Sequence, residues 1–119
     1  MVWTVTHEFE QPVRHKNQMM SGGSFMANLT LRLNPDLDCP DVRFASIVPG
    51  PDAAYFSQFV EAGLRSFIAD RASEGIAIGF LQVTLTAITI HCVDAKPHRF
   101  EEATKMALNQ GFDLNRVEL

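Results

Sequence analysis

The sequence predicts a two-layer α/β sandwich, a four-stranded sheet with two helices on one face, in the order β-β-β-α-β-α. Three observations predict it. Phe25, Ala27, Leu29, Leu31 and Leu33 alternate with Met26, Asn28, Thr30 and Arg32, and Leu81, Val83 and Leu85 alternate with Gln82, Thr84 and Thr86; period two is the signature of a half-buried strand. Two further stretches carry apolar stripes at helical spacing. The alternate positions Thr4, Thr6 and Glu8, Asn28, Thr30 and Arg32, and Gln82, Thr84 and Thr86 are polar, which a sheet covered on both faces would not show, so both helices belong on one face and the other is open to solvent or a partner.

The elements follow in order. Residues 3–9 alternate Trp3, Val5, His7 and Phe9 with Thr4, Thr6 and Glu8 and read as the first strand. Residues 14–24 read as the connection to the second strand, residues 25–33. A short third strand fits residues 42–48. A helix over residues 52–72 gathers Tyr55, Phe56, Phe59, Val60, Gly63, Leu64, Phe67 and Ile68. Asp52 is placed to cap it, Glu61 and Arg65 form an i,i+4 pair, and Gly75 closes the segment. The fourth strand fits residues 77–90. Its parity breaks near Ala87, where a bulge, or Ile88 and Ile90 left outward, would account for the flip. The second helix, residues 97–110, begins at Pro97 because proline is tolerated only in a first turn. It buries Phe100, Ala103, Thr104, Ala107 and Leu108, pairs Glu101 with Lys105, and stops at Gly111.

Composition narrows the function. The chain has 119 residues, which fits one domain spanning 1–119. Ten Lys and Arg against fourteen Asp and Glu give a net charge of -4, the wrong sign for a surface that coats nucleic acid, though not for a local contact. No run reaches the ~18 apolar residues of a membrane span, and the first residues lack a leader pattern. Cys39 and Cys92 are too few for a disulfide scaffold and read as thiols of a cytoplasmic protein.

Enzyme signals are weak. His91, Cys92, Asp94 and His98 match no zinc spacing, so no metal or cofactor is expected. His91 and Cys92 are adjacent on a strand pattern and so point to opposite faces, a poor arrangement for sharing a proton. No phosphate-loop motif is present. The connection Arg14-His15-Lys16-Asn17-Gln18-Met19-Met20-Ser21-Gly22-Gly23-Ser24 has the basic and glycine content of a phosphate-meeting loop, and equally of a solvated hairpin turn.

Three stretches together resemble a known module, domain IV of the bacterial translocation GTPase, elongation factor G, and of its eukaryotic counterpart. His15-Lys16-Asn17-Gln18 and the following glycine are similar to the family's His-Lys-Lys-Gln-Ser/Thr-Gly-Gly-x-Gly-x-Phe loop. Val48-Pro49-Gly50, followed by Val60, Gly63 and Leu64, is similar to Val-Pro-Gly…Val-x-x-Gly-Ile. Gly75, Val83-Thr84-Leu85, His91, Val93-Asp94, Phe100 and Ala103 fall without a gap on the family's Gly-Tyr-Pro…Val-Thr-Leu-x-Asp-Gly-x-x-His-x-Val-Asp-Ser-Ser-x-x-Ala-Phe-x-x-Ala. The resemblance spans nearly the whole chain. It implies the α/β sandwich shared with a domain of a ribosomal small-subunit protein, including a left-handed crossover that the general rule for such connections would not supply.

The resemblance also implies a role. In the family two tip loops enter the decoding centre and contact the messenger–transfer RNA duplex. Carried over by position, His15, Lys16, Gln18, Gly22 and Gly23 fall on the first loop and His91 and Asp94 on the second. This sequence departs from the pattern: Met19 and Met20 stand in the Ser/Thr-Gly positions, Gly22 where many members carry a basic residue, Ala87-Ile88 for Asp-Gly, and Ala95-Lys96 for Ser-Ser. Both tips are therefore more apolar than the family's. The expected function is a non-enzymatic translation-factor-like module that contacts the ribosome, transfer RNA or ribosomal RNA, with GTP hydrolysis left to a GTPase-bearing partner chain. The opening Met1 and the degenerate loops suggest a free-standing gene product. The alternative is a protein-interaction or homo-oligomerisation module that kept the fold and lost the RNA role, using Met19, Met20, Ile88, Ile90 and an edge strand.

Overall fold

A computed structural model describes residues 2–18, 24–89 and 97–119; within these, the side chains of 14–18 and 24–27 are not described. The elements are β1 (Val2–Val5), β2 (Phe9–Gln18), β3 (Ser24–Pro35), β4 (Val42–Ser46), α1 (Pro51–Ser73), β5 (Ala77–Ile78), β6 (Leu81–Thr89), α2 (Pro97–Asn115) and β7 (Arg116–Glu118). The main sheet has four strands in the order β2-β3-β6-β4. β2, β3 and β6 are antiparallel neighbours, and β4 runs parallel to β6. Parallel neighbours need a crossover, and α1 supplies it. The predicted β-β-β-α-β-α sandwich is therefore present.

Both helices pack on the leucine face. Leu29, Leu31 and Leu33 of β3 and Leu81, Val83 and Leu85 of β6 form one buried cluster with Val60, Leu64 and Phe67 of α1 and Phe100, Ala103, Ala107, Leu108 and Phe112 of α2. Each fully buried aliphatic or aromatic side chain contributes about 1.5–3 kcal/mol, so this cluster is what holds the layers together. Asn28, Thr30, Arg32, Gln82, Thr84 and Thr86 lie half-buried at the alternate positions. There Arg32 reaches Glu8 at 3.6 Å and Glu10 at 3.4 Å.

The bulge near Ala87 is real. Thr30 pairs with Ala87 but Leu31 with Leu85, leaving Thr86 as the extra residue. Its Oγ1 donates to the Thr30 carbonyl at 3.2 Å. The flip turns Ile88 back toward the core, where it packs half-buried, so Ile88 is not part of an outward patch. Ile90, Met19 and Met20 lie outside the described residues.

Several expectations are corrected. The first strand of the main sheet is β2, not residues 3–9; Arg14–Gln18 and Ser24 belong to strands, not to a connection. Pro12 discourages a strand assignment, but β2 is an edge strand, where a missing N–H is tolerated. The N-terminal strand instead joins a second sheet, β5-β1-β7. Thr4, expected on a wet face, is buried there and donates to the Phe80 carbonyl at 2.8 Å. The segment 77–90 splits at Gly79-Phe80, where Phe80 takes φ 52 and the chain passes from the small sheet to the main one.

The helix ends differ too. Gly50, with φ 104, is the N-cap of α1, Pro51 opens the helix, and Asp52 lies in its first turn without a side-chain cap bond; that backbone region is open essentially only to glycine. α2 runs past Gly111 to Asn115. Gly111 is buried against Phe9 and Gln11 rather than ending the helix. Lys105 pairs with Asp70 of α1 at 2.8 Å, whereas the Glu61–Arg65 pair forms as expected at 3.4 Å. Among the described residues no helix is long and apolar enough to cross a membrane.

Candidate nucleic-acid interface

The β2–β3 ladder continues past the last described pair of β3 with β6. Among the described residues, β6 pairs with β3 as far as Asn28–Thr89. The pairs His15–Ala27, Lys16–Met26, Asn17–Phe25 and Gln18–Ser24 continue beyond it. Four residues of strand extend about 13 Å, and this stretch of β2–β3, the arm, lies beyond the last described β3–β6 pair. β2 and the described part of β6 both run toward that end of the sheet, and β3 starts from it. The first turn of α1 and the start of α2 follow from strands that finish at the same end.

Charge is segregated along the same axis. Residues 14–27 and 90–96 contain Arg14, Lys16 and Lys96 against one acid, Asp94, together with His15 and His91. The rest of the chain carries seven cations and thirteen acids. All seven have a carboxylate within reach. Arg32 pairs with Glu8 and Glu10, Arg43 with Asp36, Arg65 with Glu61, Arg71 with Asp113, Arg99 with Glu102, Lys105 with Asp70 and Arg116 with Asp113. The rest of the chain is therefore acidic with its cations neutralised, and the net positive charge falls, in sequence, on residues 14–27 and 90–96. An acidic body behind a basic end orients an approaching polyanion toward that end.

The base of the arm is concave. A depression of about 210 Å³ is lined by Pro12, Val13, Asn28, Thr30 and Ile88 among others. The Asn28 Oδ1 there is buried without a hydrogen-bond partner among the described residues. Asn28 lies opposite Arg14 in the ladder. A second hollow of about 250 Å³ runs along Val48, Pro49, Gly50 and Asp52 to Ile88. It joins the Val-Pro-Gly turn to the end of β6.

The candidate residues divide into two groups. His15, Lys16 and Gln18 lie on the projecting part of β2, with their positions fixed by register and their side chains outside the description. Gly22, Gly23, His91 and Asp94 lie outside the described residues. Asn28 was legible only as one of the polar alternate residues of β3; that its carbonyl oxygen is buried and unpaired depends on the fold. Cys39 is a half-buried free thiol. Among the described residues no three His, Cys, Asp or Glu side chains gather as a metal site.

No protein-family model matches the chain, and no curated protein matches it. Solved structures do. A crystal structure of a protein from Thermus thermophilus matches with a TM-score of 0.76 at 17% identity. The match covers 98% of this chain and 17% of the Thermus chain. At that identity the likeness establishes the fold, and the fold occurs there within a much longer polypeptide.

Proposed function

We propose that this protein is a non-enzymatic RNA-contacting module of the type resembled by domain IV of elongation factor G, and that its arm end meets the ribosome or structured RNA. The observation that carries the proposal is the continuation of the β2–β3 ladder past the last described β3–β6 pair, with His15, Lys16 and Gln18 on that stretch of β2. Arg14, Lys16 and Lys96 concentrate positive charge on the segments at that end of an acidic chain, and phosphate contacts by such residues position a protein on RNA. Gly22, Gly23, His91 and Asp94 complete the contact by resemblance. β4–α1–β6 is expected to cross over with the left hand of that family. A match covering 17% of a longer chain agrees with a module that elsewhere works beside other domains. A GTPase-bearing chain is the expected partner.

Co-sedimentation with small ribosomal subunits at low salt tests the proposal. Binding is expected, and is expected to fall at least tenfold in the Lys16→Ala, His91→Ala double variant. Absence of binding, or binding indifferent to the double substitution, overturns it.

A further inference from the structure

The opposite side of the molecule carries a strand edge with no partner strand among the described residues. β7 lies at the border of the β5-β1-β7 sheet. It pairs with β1 in the register Trp3–Glu118, Thr4–Val117, Val5–Arg116. Leu119 N–H donates to the Val2 carbonyl at 2.8 Å, and Thr6 N–H to the Asn115 carbonyl at 2.9 Å. In an antiparallel ladder hydrogen-bonded and non-bonded pairs alternate. The main-chain groups of Asn115, Val117 and Leu119 therefore face β1, and those of Arg116 and Glu118 face outward. Arg116 and Glu118 are exposed. An edge with free N–H and C=O groups is a template for another strand.

The sequence of that edge is complementary to itself. We infer that β7 pairs antiparallel with β7 of a second copy of this chain, with the two Val117 residues facing each other across the two-fold axis. In that register each Arg116 lies opposite the partner copy's Glu118. The outward main-chain groups of the two residues then exchange hydrogen bonds, and opposite charges meet on one face. The other self-pairing registers that use these outward groups set Arg116 against Arg116 or Glu118 against Glu118, and each forms fewer bonds. A two-fold axis requires a patch complementary to itself, and Arg-Val-Glu meets that requirement.

Apolar surface lies on the other face of the same strand. Val117 and Leu119 share a cleft of about 330 Å³ with Thr4, Val5, Pro35 and Leu37. Leu37 and Leu119 are 66% and 53% exposed. Pairing across Val117 brings the two clefts side by side along one joined sheet, so their apolar walls become continuous. A three-residue ladder is short, and this strip adds apolar area to it.

Sedimentation equilibrium of the full chain tests the inference, with Arg116→Glu, Glu118→Arg and the double swap compared at equal concentration. A dimer is expected for the native chain. Each single swap sets like charges opposite one another and should raise the dimer dissociation constant at least tenfold. The double swap restores opposite charges and should return it to within about threefold. A native chain that stays monomeric to millimolar concentration overturns the inference, as does a dimer indifferent to the single swaps. Because Arg116 also lies over the Trp3 ring at 4.9 Å, a swap could weaken the fold itself. A second variant avoids that: Val117→Cys with Cys39→Ser and Cys92→Ser should cross-link to a covalent dimer under mild oxidation. The same background with cysteine at Arg43, on the far edge strand β4, should not. Equal cross-linking of both overturns the register. RNA binding at the arm does not enter either readout.

Discussion

Gly63 of α1 lies directly against the backbone of Glu101 in α2. A methyl group at position 63 would stand 2.6 Å from the Glu101 carbonyl oxygen and 2.9 Å from Thr104 Cβ. The two helices can approach this closely only because α1 presents no side chain at that crossing. Their closeness keeps both stripes seated on the leucine face, and so fixes how the sheet end and the helix starts meet.

Gly63→Ala should therefore destabilise the fold despite alanine's better helix propensity. The gain is at most about 1 kcal/mol. Forcing two backbones apart in a packed core costs about 1–3 kcal/mol, and the Glu101 carbonyl cannot rotate away as a side chain could. Urea unfolding should show a lower midpoint with an unchanged slope. A midpoint equal to or above that of the native chain would refute this.

Gly111→Ala is expected to behave differently. There a methyl group would meet Gln11 Oε1 and Phe9 Cε2, each at 3.0 Å. Both are side-chain atoms, and the glutamine can move. Propensity and crowding nearly offset, so the change should stay within about 1 kcal/mol of neutral. Side-by-side thermal melts of the two variants check the contrast; an equal loss at both positions would contradict it.

The two glycines also show what was legible in the sequence. Gly111 followed a regular helical stripe, so it read as a stop, since a glycine that lets another element approach looks the same in one dimension as one that ends a helix. β3 and β6 were legible because Leu29–Leu33 and Leu81–Leu85 have one buried and one open side. The bulge was legible because it flips that alternation. β2 was obscured, since only Phe9, Gln11 and Val13 lie where β6 and α2 give the sheet a core to face, and the residues beyond them leave it. The small sheet was obscured because its strands are two to four residues long and pair elements far apart in sequence, as Thr4 with Val117 does. Of the candidate site, the residues were named from resemblance and the arm that carries three of them came from register.

Arg71 ties the end of α1 to the end of α2. Its side chain is 14% exposed. It donates to Asp113 Oδ2 at 2.7 Å and Asn109 Oδ1 at 2.8 Å, and lies over the Phe67 ring at 5.0 Å. Bonds to charged groups are worth about 1.5–3 kcal/mol when sheltered, less here because Asp113 is 39% exposed. Arg71→Ala should cost about 1–2 kcal/mol. Arg71→Lys should recover less than half of that, because an ammonium cannot keep both bonds and lie flat on the ring. Full recovery by lysine in urea unfolding would show that charge alone matters.

The arm end makes a prediction about salt. If Arg14, Lys16 and Lys96 neutralise phosphates, binding to an RNA helix releases counterions, and log Kobs falls linearly with log salt concentration. Each phosphate contact contributes about 0.7–0.9 to the slope. Replacing all three by alanine should flatten the slope by about 2–3 and weaken binding without favouring one sequence over another. Replacing Arg43 and Arg65 should leave the slope unchanged, because each is held by a carboxylate, Asp36 and Glu61, on the β4–α1 flank away from the arm. Fluorescence anisotropy with a labelled RNA hairpin from 50 to 300 mM salt, roughly the range over which such contacts are read, gives both slopes. Equal flattening in the two sets of variants would mean that the whole acidic body, not its basic end, governs the encounter, and the contact would have to be sought elsewhere on the surface.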